Sequence, residues 1–475
     1  MAMEIYPGPN VFPFDTSFKQ AAPGINDDTA AINAALSRIG SSSGGGVLQL
    51  SPRNYMLAGG TKHILIASNN VILRGAGKGL TTLTLLNVAD EDIVKIFSGG
   101  SLSNCGVSDL TIDAGSFVTA GHGAVNLNTV TDGFVRNISV INQGQSGITA
   151  QGCTRFDISD NDTTLNVALN TQNHGILVAA STQNTYGVIA RNRCTNSAMI
   201  FSGSQLLITG NYATNWKYGS GVTMGPDTFT HDNVISDNFM AGGTGIDVDG
   251  TYCAGYELWS PHSTVTGNIA QGNSGNGIMI GGEAMTCTGN LSYQNGVGNN
   301  TGDDNGIYLQ TNGVQAGTDC IVAGNRCYGQ NYGFGRNVAV TTVRIGVNNF
   351  AGNNIAETNI VWTPAVTSSG GAFTSVTITG KNFVIIGDIV TFSLTIHVTT
   401  LGPASGTLQF ILPSLPASNS DFRFGGFNSS TSVILTGLVA QGSTTANVVT
   451  SAGAFPVTGN DQFLQVTGFY QSTSF

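Results

Sequence analysis

From about residue 120 to residue 350 the chain repeats a short pattern: a small or polar residue, Gly, an apolar residue, one variable position and a second apolar residue. It reads Ser146-Gly147-Ile148-Thr149, His174-Gly175-Ile176-Leu177-Val178, Ser220-Gly221-Val222-Thr223-Met224, Thr244-Gly245-Ile246-Asp247-Val248, Asn276-Gly277-Ile278-Met279-Ile280 and Asn305-Gly306-Ile307-Tyr308-Leu309. The period of two predicts strands of four or five residues with one face buried. A second element recurs between the copies and ends in Asn, at positions 137, 192, 211, 238, 268, 290 and 325. From Asn192 onward the spacings are 19, 27, 30, 22 and 35 residues. A helical repeat would keep its length, whereas stacked strands tolerate variable loops, so the pattern predicts a parallel β-solenoid. Successive rungs lie about 4.8 Å apart, so an Asn at the same corner of each rung can hydrogen-bond its neighbours. The Asn column is therefore read as structural.

Upstream, Gly24-Ile25-Asn26-Asp27-Asp28-Thr29 precedes apolar residues at helical spacing, Ala31, Ile32, Ala35 and Leu36. This predicts one capped helix that closes the open end of the solenoid. Gly44-Gly45-Gly46-Val47-Leu48-Gln49-Leu50, Pro52-Arg53-Asn54-Tyr55 and Val71-Ile72-Leu73-Arg74-Gly75-Ala76-Gly77-Lys78-Gly79 follow. Together these segments resemble the opening of the pectate-lyase-like superfamily. That resemblance implies an all-β, right-handed parallel β-helix, the fold of polysaccharide lyases, glycosidases, epimerases and phage tailspikes. Gly77-Lys78-Gly79 is read as a turn, because a phosphate-binding loop requires Ser or Thr after the Lys and a long helix beyond it.

Near Val361-Trp362-Thr363-Pro364 the repeat stops. Beyond it Val390, Phe392, Leu394, Ile396 and Val398 alternate with Thr391, Ser393, Thr395 and His397, which predicts longer antiparallel strands. The organisation expected is an N-terminal segment with the capping helix (1–40), the parallel β-helix (41–362) and a C-terminal antiparallel β-sandwich or jelly roll (363–475) serving trimerisation or glycan binding. This architecture resembles phage tailspikes and tail-fibre depolymerases. The resemblance implies a homotrimer, a location on the virion tail or outside the cell, and a bacterial surface polysaccharide (capsule, O-antigen or exopolysaccharide) as partner.

Only 9 % of residues are charged, and the net charge is −10. Nothing supplies the broad basic surface that nucleic acid requires. No apolar run is long enough for membrane insertion, and the opening MAMEIYPGPN lacks the pattern of an export signal. The seven Cys form no CxxC pair, which reads as buried thiols; no metal site and no cofactor are expected.

Candidate chemistry lies on the outward face of the repeated strand, where the residue between the two apolar positions meets water. Reading residues 244–248 as one such strand puts Asp247 in a column with Thr149, Leu177, Thr223, Met279 and Tyr308, with Asp249 just beyond it. Asp227 and Glu283 fall on the adjoining rungs, so four carboxylates gather on one face. Asp247 and Asp249 would have Cα atoms about 6.7 Å apart, and Asp227 and Asp249 roughly 8 Å. Inverting glycoside hydrolysis uses two carboxyl groups roughly 6.5–9.5 Å apart, and close like charges keep one of them protonated. A solvated acidic face and an oxygen-ligand Ca²⁺ site are the competing readings. Around the cluster, Trp216, Tyr218, Tyr252, Tyr256, Trp259 and Tyr308 are candidate sugar platforms, and His174 and His262 candidate sugar ligands. The expected activity is endo-acting glycoside hydrolysis. Elimination by a polysaccharide lyase ranks second, since an acidic groove repels a uronate, and a non-catalytic glycan-binding adhesin is the third reading.

Overall fold

The computed structural model describes the chain except residues 1–10, 14–26, 43, 59–62, 88–91, 116–122, 144–145, 167–173, 180–182, 218, 245–252, 297–303, 313–314, 338–339, 341–342, 347, 351–354, 359–363, 387–388, 413–421, 441–442, 444 and 472–475. Among the described residues, short strands build three parallel sheets of 13, 11 and 12 strands. One rung shows the plan. Leu207–Thr209 lies in the first sheet, Tyr212–Thr214 in the second and Val222–Met224 in the third, and each pairs in register with its counterpart one rung on. This is the parallel β-helix that the repeat predicts.

The side-chain alternation fixes which face is inside. In the first and second sheets the middle residue of each strand points inward, as with Ile208, Ala213, Ile235, Met240, Val265 and Ala270. In the third sheet the two flanking residues point inward, as with Val222 and Met224, Tyr256 and Leu258, Ile278 and Ile280. Each large side chain so buried contributes about 1.5–3 kcal/mol relative to exposure. All seven Cys are buried thiols, and burial pushes those of Cys153 and Cys194 up to about 11 and about 12.

The corner between the first and second sheets is held by a buried Asn ladder. Asn161 donates from Nδ2 to Asn192 Oδ1 at 2.9 Å, and the same bond links Asn192 to Asn211, Asn211 to Asn238, Asn238 to Asn268, Asn268 to Asn290 and Asn290 to Asn325 at 2.9–3.0 Å. Each Oδ1 also accepts the backbone N–H of the preceding Asn. Asn137 does not belong to the ladder. It occupies the left-handed position that Asp160, Arg191, Gly210, Asp237 and Gly267 hold on later rungs, and Ile138 stands at the ladder register, its N–H bonded to Asn161.

The helix Thr29–Gly40 buries Thr29, Ile32, Leu36 and Ile39. Asn33 binds the edge of strand Ile64–Ile66 as a further strand would, accepting from Leu65 N at 2.8 Å and donating to His63 O at 2.7 Å. Asp28, the N-cap residue, makes no side-chain cap bond; its carboxylate accepts from Met56 N at 2.9 Å, while Asp27 accepts from Thr29 N at 3.0 Å. The two acidic residues therefore fasten the helix to the exposed strand edge as well as starting it.

By its contacts the chain divides into Met1–Thr318 with Asn325–Val340 and Asn349–Ala356, and a second unit of Asp319–Gly324, Thr341–Asn348 and Glu357–Phe475. The second unit contains an antiparallel eight-stranded sheet, ordered Val366–Ser368, Leu408–Ile411, Thr445–Thr450, Val433–Val439, Phe422–Asn428, Gln462–Gln471, Ile389–Thr400 and Ser375–Ile386. Val390, Phe392, Leu394, Ile396 and Val398 face its core together with Phe410, Phe424 and Tyr470.

Candidate functional site

The outward column of the third sheet runs Thr149, Leu177, Ile200, Thr223, Glu257, Met279 and Tyr308, each registered on the next. The expected strand at residues 244–248 is not the one that pairs there. Tyr256–Leu258 fills the rung between Val222–Met224 and Ile278–Ile280, so the outward position belongs to Glu257. Asp247 and Asp249, with Tyr252 and Tyr218, lie outside the described residues. The signal for the true strand was present: Gly255-Tyr256-Glu257-Leu258 has the repeated Gly-apolar-x-apolar form, with Tyr in the Ile position.

Glu257 is half-buried and its carboxylate is held at both oxygens. Ser220 Oγ donates to Oε2 at 3.0 Å, and Trp259 Nε1 donates to Oε1 at 2.9 Å. Ser220 precedes its own rung's strand and Trp259 follows Glu257 by two, so two neighbouring rungs aim this group. Leu177 and Ile200 extend the column on one side, Met279 and Tyr308 on the other, and all four are half-buried. The result is a carboxylate set in an otherwise largely apolar strip, able to serve as a base or to stabilise a developing positive charge.

Two of the expected sugar platforms are core residues instead. Trp216 is 1 % exposed, with its ring filling the space that a side chain at Gly221 or Gly243 would need. Tyr256 is fully buried, its hydroxyl donating to the Asn238 carbonyl at 2.6 Å, and burial raises its pKa well above the ordinary range. Both have large, mostly apolar bodies, and close packing of the interior claims them for the core. Trp259 is 7 % exposed and packs over Gly281, so its described role is to aim Glu257 rather than to offer a ring face. Tyr308 keeps the outward position, over Gly335 of the next rung.

Of the remaining carboxylates, Asp227 is engaged within its loop. Its oxygens accept from Ser202 Oγ at 2.6 Å, Phe229 N at 2.8 Å and Thr230 Oγ1 at 2.9 Å. These bonds staple loop 225–233 to the preceding rung. Glu283 is exposed, and its backbone carbonyl accepts from His262 N at 3.0 Å. Asp232, absent from the sequence reading, stands between two imidazoles on adjacent rungs: His231 Nδ1 at 2.8 Å and His262 Nδ1 at 3.7 Å. His174, expected on the open surface, is largely covered. Its Nδ1 is buried with no hydrogen-bond partner among the described residues, and burial lowers its pKa to about 4. It is therefore neutral at physiological pH.

No family model matches the chain. Among curated proteins it is 37 % identical over 110 residues to the mannuronan C5-epimerase AlgE5 of Azotobacter vinelandii, covering 22 % of this chain and 11 % of that protein. It is 36 % identical over 110 residues to alginate lyase 7 of the same organism, covering 22 % of this chain and 13 % of that one. The chain thus matches little more than a tenth of the length of these relatives. Among solved structures, the Dettilon tailspike protein superposes with a TM-score of 0.67 at 16 % identity, covering 97 % of this chain and 94 % of that one. The A-module of the Azotobacter vinelandii epimerase AlgE4 gives 0.53 at 16 % identity over 74 % of this chain and 98 % of the module. The Streptococcus pneumoniae surface adhesin PfbA gives 0.56 at 12 % identity, covering 76 % of this chain and 97 % of that one. The chain is a right-handed parallel β-helix protein, with the fold shared by these tailspike, epimerase-module and adhesin structures, and carries a C-terminal antiparallel β unit.

Proposed function

We propose that the chain is a tailspike-like depolymerase that seats a bacterial surface polysaccharide along the outer face of the third sheet and hydrolyses its glycosidic bonds. The observation that carries this reading is Glu257, fixed by Ser220 and Trp259 at the outward position of the column. Glu257 supplies the carboxylate that activates water or faces the anomeric carbon, and a second carboxyl group protonates the leaving oxygen. Asp247, Asp249, Asp227 and Glu283 are the candidates for that acid, with Tyr308, Tyr218, Tyr252 and His262 as sugar contacts. A homotrimer on a virion tail or outside the cell accords with the tailspike likeness. Incubation with purified capsular, O-antigen and exopolysaccharide preparations tests the reading. New reducing ends that disappear in Glu257→Gln support it, and unchanged release by that variant refutes the assignment.

A second reading is favoured by the short matches to mannuronan C5-epimerases and an alginate lyase. On a uronate polymer the same face would abstract the C5 proton. Unsaturated, ultraviolet-absorbing ends would identify elimination, altered C5 stereochemistry at constant chain length would identify epimerisation, and binding without any product would identify an adhesin.

A further inference from the structure

The solvent side of the C-terminal sheet holds an open, shallow depression of about 540 Å³ lined by Thr391, Arg423, Gly425, Thr467 and Phe469. Strand register explains how they meet. Gly425 pairs with Thr467, Phe469 pairs with Thr391, and Arg423 lies two residues from Gly425 on the same outward face. The rings of Phe392 and Phe424 lie beneath as a floor. At the centre Gly425 leaves open space, since a side-chain carbon there would meet nothing within 4 Å. Phe469 is 56 % exposed, on the same outward face as Gln465 and Thr467.

Arg423 is the one arginine after Arg344 in a chain with so few charges. No carboxylate pairs with it among the described residues. A guanidinium with no carboxylate partner among the described residues, an exposed ring across the strand pair and two hydroxyls around a gap form a set of distinct recognition elements. The planar fork of Arg matches a carboxylate through two parallel hydrogen bonds. An aromatic ring covers the C–H face of a pyranose, and threonine hydroxyls bond its hydroxyl groups. Nucleic acid would need a track of cations, and this face offers one. The volume falls within the range of small-molecule sites, about 300–1,000 Å³.

We propose that this face of the second unit is a binding site for an acidic saccharide, a sugar residue bearing a carboxylate. The site lies in a different unit from Glu257 and does not depend on the reaction assigned to that residue.

The test uses the full chain carrying Glu257→Gln, titrated with methyl β-D-glucuronide, methyl α-D-galacturonide, N-acetylneuraminic acid and neutral methyl β-D-glucoside, with binding read by ligand-observed nuclear magnetic resonance. At least one acid binds in the millimolar range, and the glucoside binds about tenfold more weakly or not at all. Arg423→Ala weakens the acid about tenfold, Arg423→Lys restores part of the affinity, and Gly425→Leu fills the gap and blocks binding while the melting temperature is kept. Failure of every acid to bind overturns the proposal, and so does acid binding that survives both Arg423→Ala and Gly425→Leu. Because the readout is binding to a chain made inert at Glu257, its failure is separate from any failure to find a cleaved polysaccharide.

Discussion

Glu257 shows how little of a side chain's chemistry is stated by its own position in the sequence. Its two fixing partners come from Ser220, thirty-seven residues earlier, and from Trp259, two residues later. Removing either donor frees the carboxylate to rotate. Ser220→Ala and Trp259→Phe should each lower the rate of product release about tenfold while leaving the circular dichroism spectrum intact, and Glu257→Gln should lower it about 100-fold or more. His174 makes a prediction about stability. Its pKa is about 4 in the folded chain against an ordinary 6.5, because burial disfavours the imidazolium. As pH falls from about 6.5 to about 4 the unfolded chain binds a proton that the folded chain refuses, so stability drops across that window, by about 3 kcal/mol at most, and then levels off. Urea titrations of wild type and His174→Gln at pH values spanning the window should show the larger loss in wild type.

At the scale of strands and corners, the sequence was most informative where geometry repeats. The Gly-apolar-x-apolar strands and the Asn corner were legible because each rung solves the same packing problem with nearly the same residues. The misassigned rung shows the limit. Gly245-Ile246-Asp247-Val248 and Gly255-Tyr256-Glu257-Leu258 both satisfy the pattern, and it is Tyr256–Leu258 that pairs between Val222–Met224 and Ile278–Ile280. The choice rests on the interior, where Tyr256 fills a wide space and reaches the Asn238 carbonyl, a tertiary demand that no local period records. Loop partners such as Ser202 to Asp227 or Asp232 between His231 and His262 left no trace either, because loops carry no period. The ladder itself is testable. Asn238 makes four side-chain hydrogen bonds, to Asn211 N, Asn211 Nδ2, Ile208 O and Asn268 Oδ1. Asn238→Ala leaves buried groups unsatisfied and should cost about 3 kcal/mol, whereas Asn137→Gly, which removes an exposed bond to Asp109 and keeps a residue that accepts the left-handed conformation, should cost less than about 1 kcal/mol. Thermal and urea midpoints of the two variants give the comparison.

Across the molecule, two kinds of cohesion coexist. Strand pairing in the parallel region passes from each rung to the next, as in other solenoids, while the antiparallel sheet closes around one cluster that includes Phe392, Phe410 and Phe424 in edge-on contact. Calorimetry should therefore resolve two transitions, and a chain of residues 357–475 alone should give a cooperative β-rich transition; its failure to fold would show that segments 319–324 and 341–348 are required. Light scattering of the full chain and of residues 1–363 tests the proposed homotrimer and whether the C-terminal part is needed for it.

The Asn corner has a consequence for how such chains change. Between one ladder Asn and the next lie from 19 to 35 residues, yet the bonds that join them scarcely vary in length. A segment cut from one ladder Asn to the following one is an interchangeable cassette whose ends always meet the same neighbours. Recombination at those junctions would swap entire loops between related chains without disturbing the rod, giving a route to new surfaces on an unchanged frame.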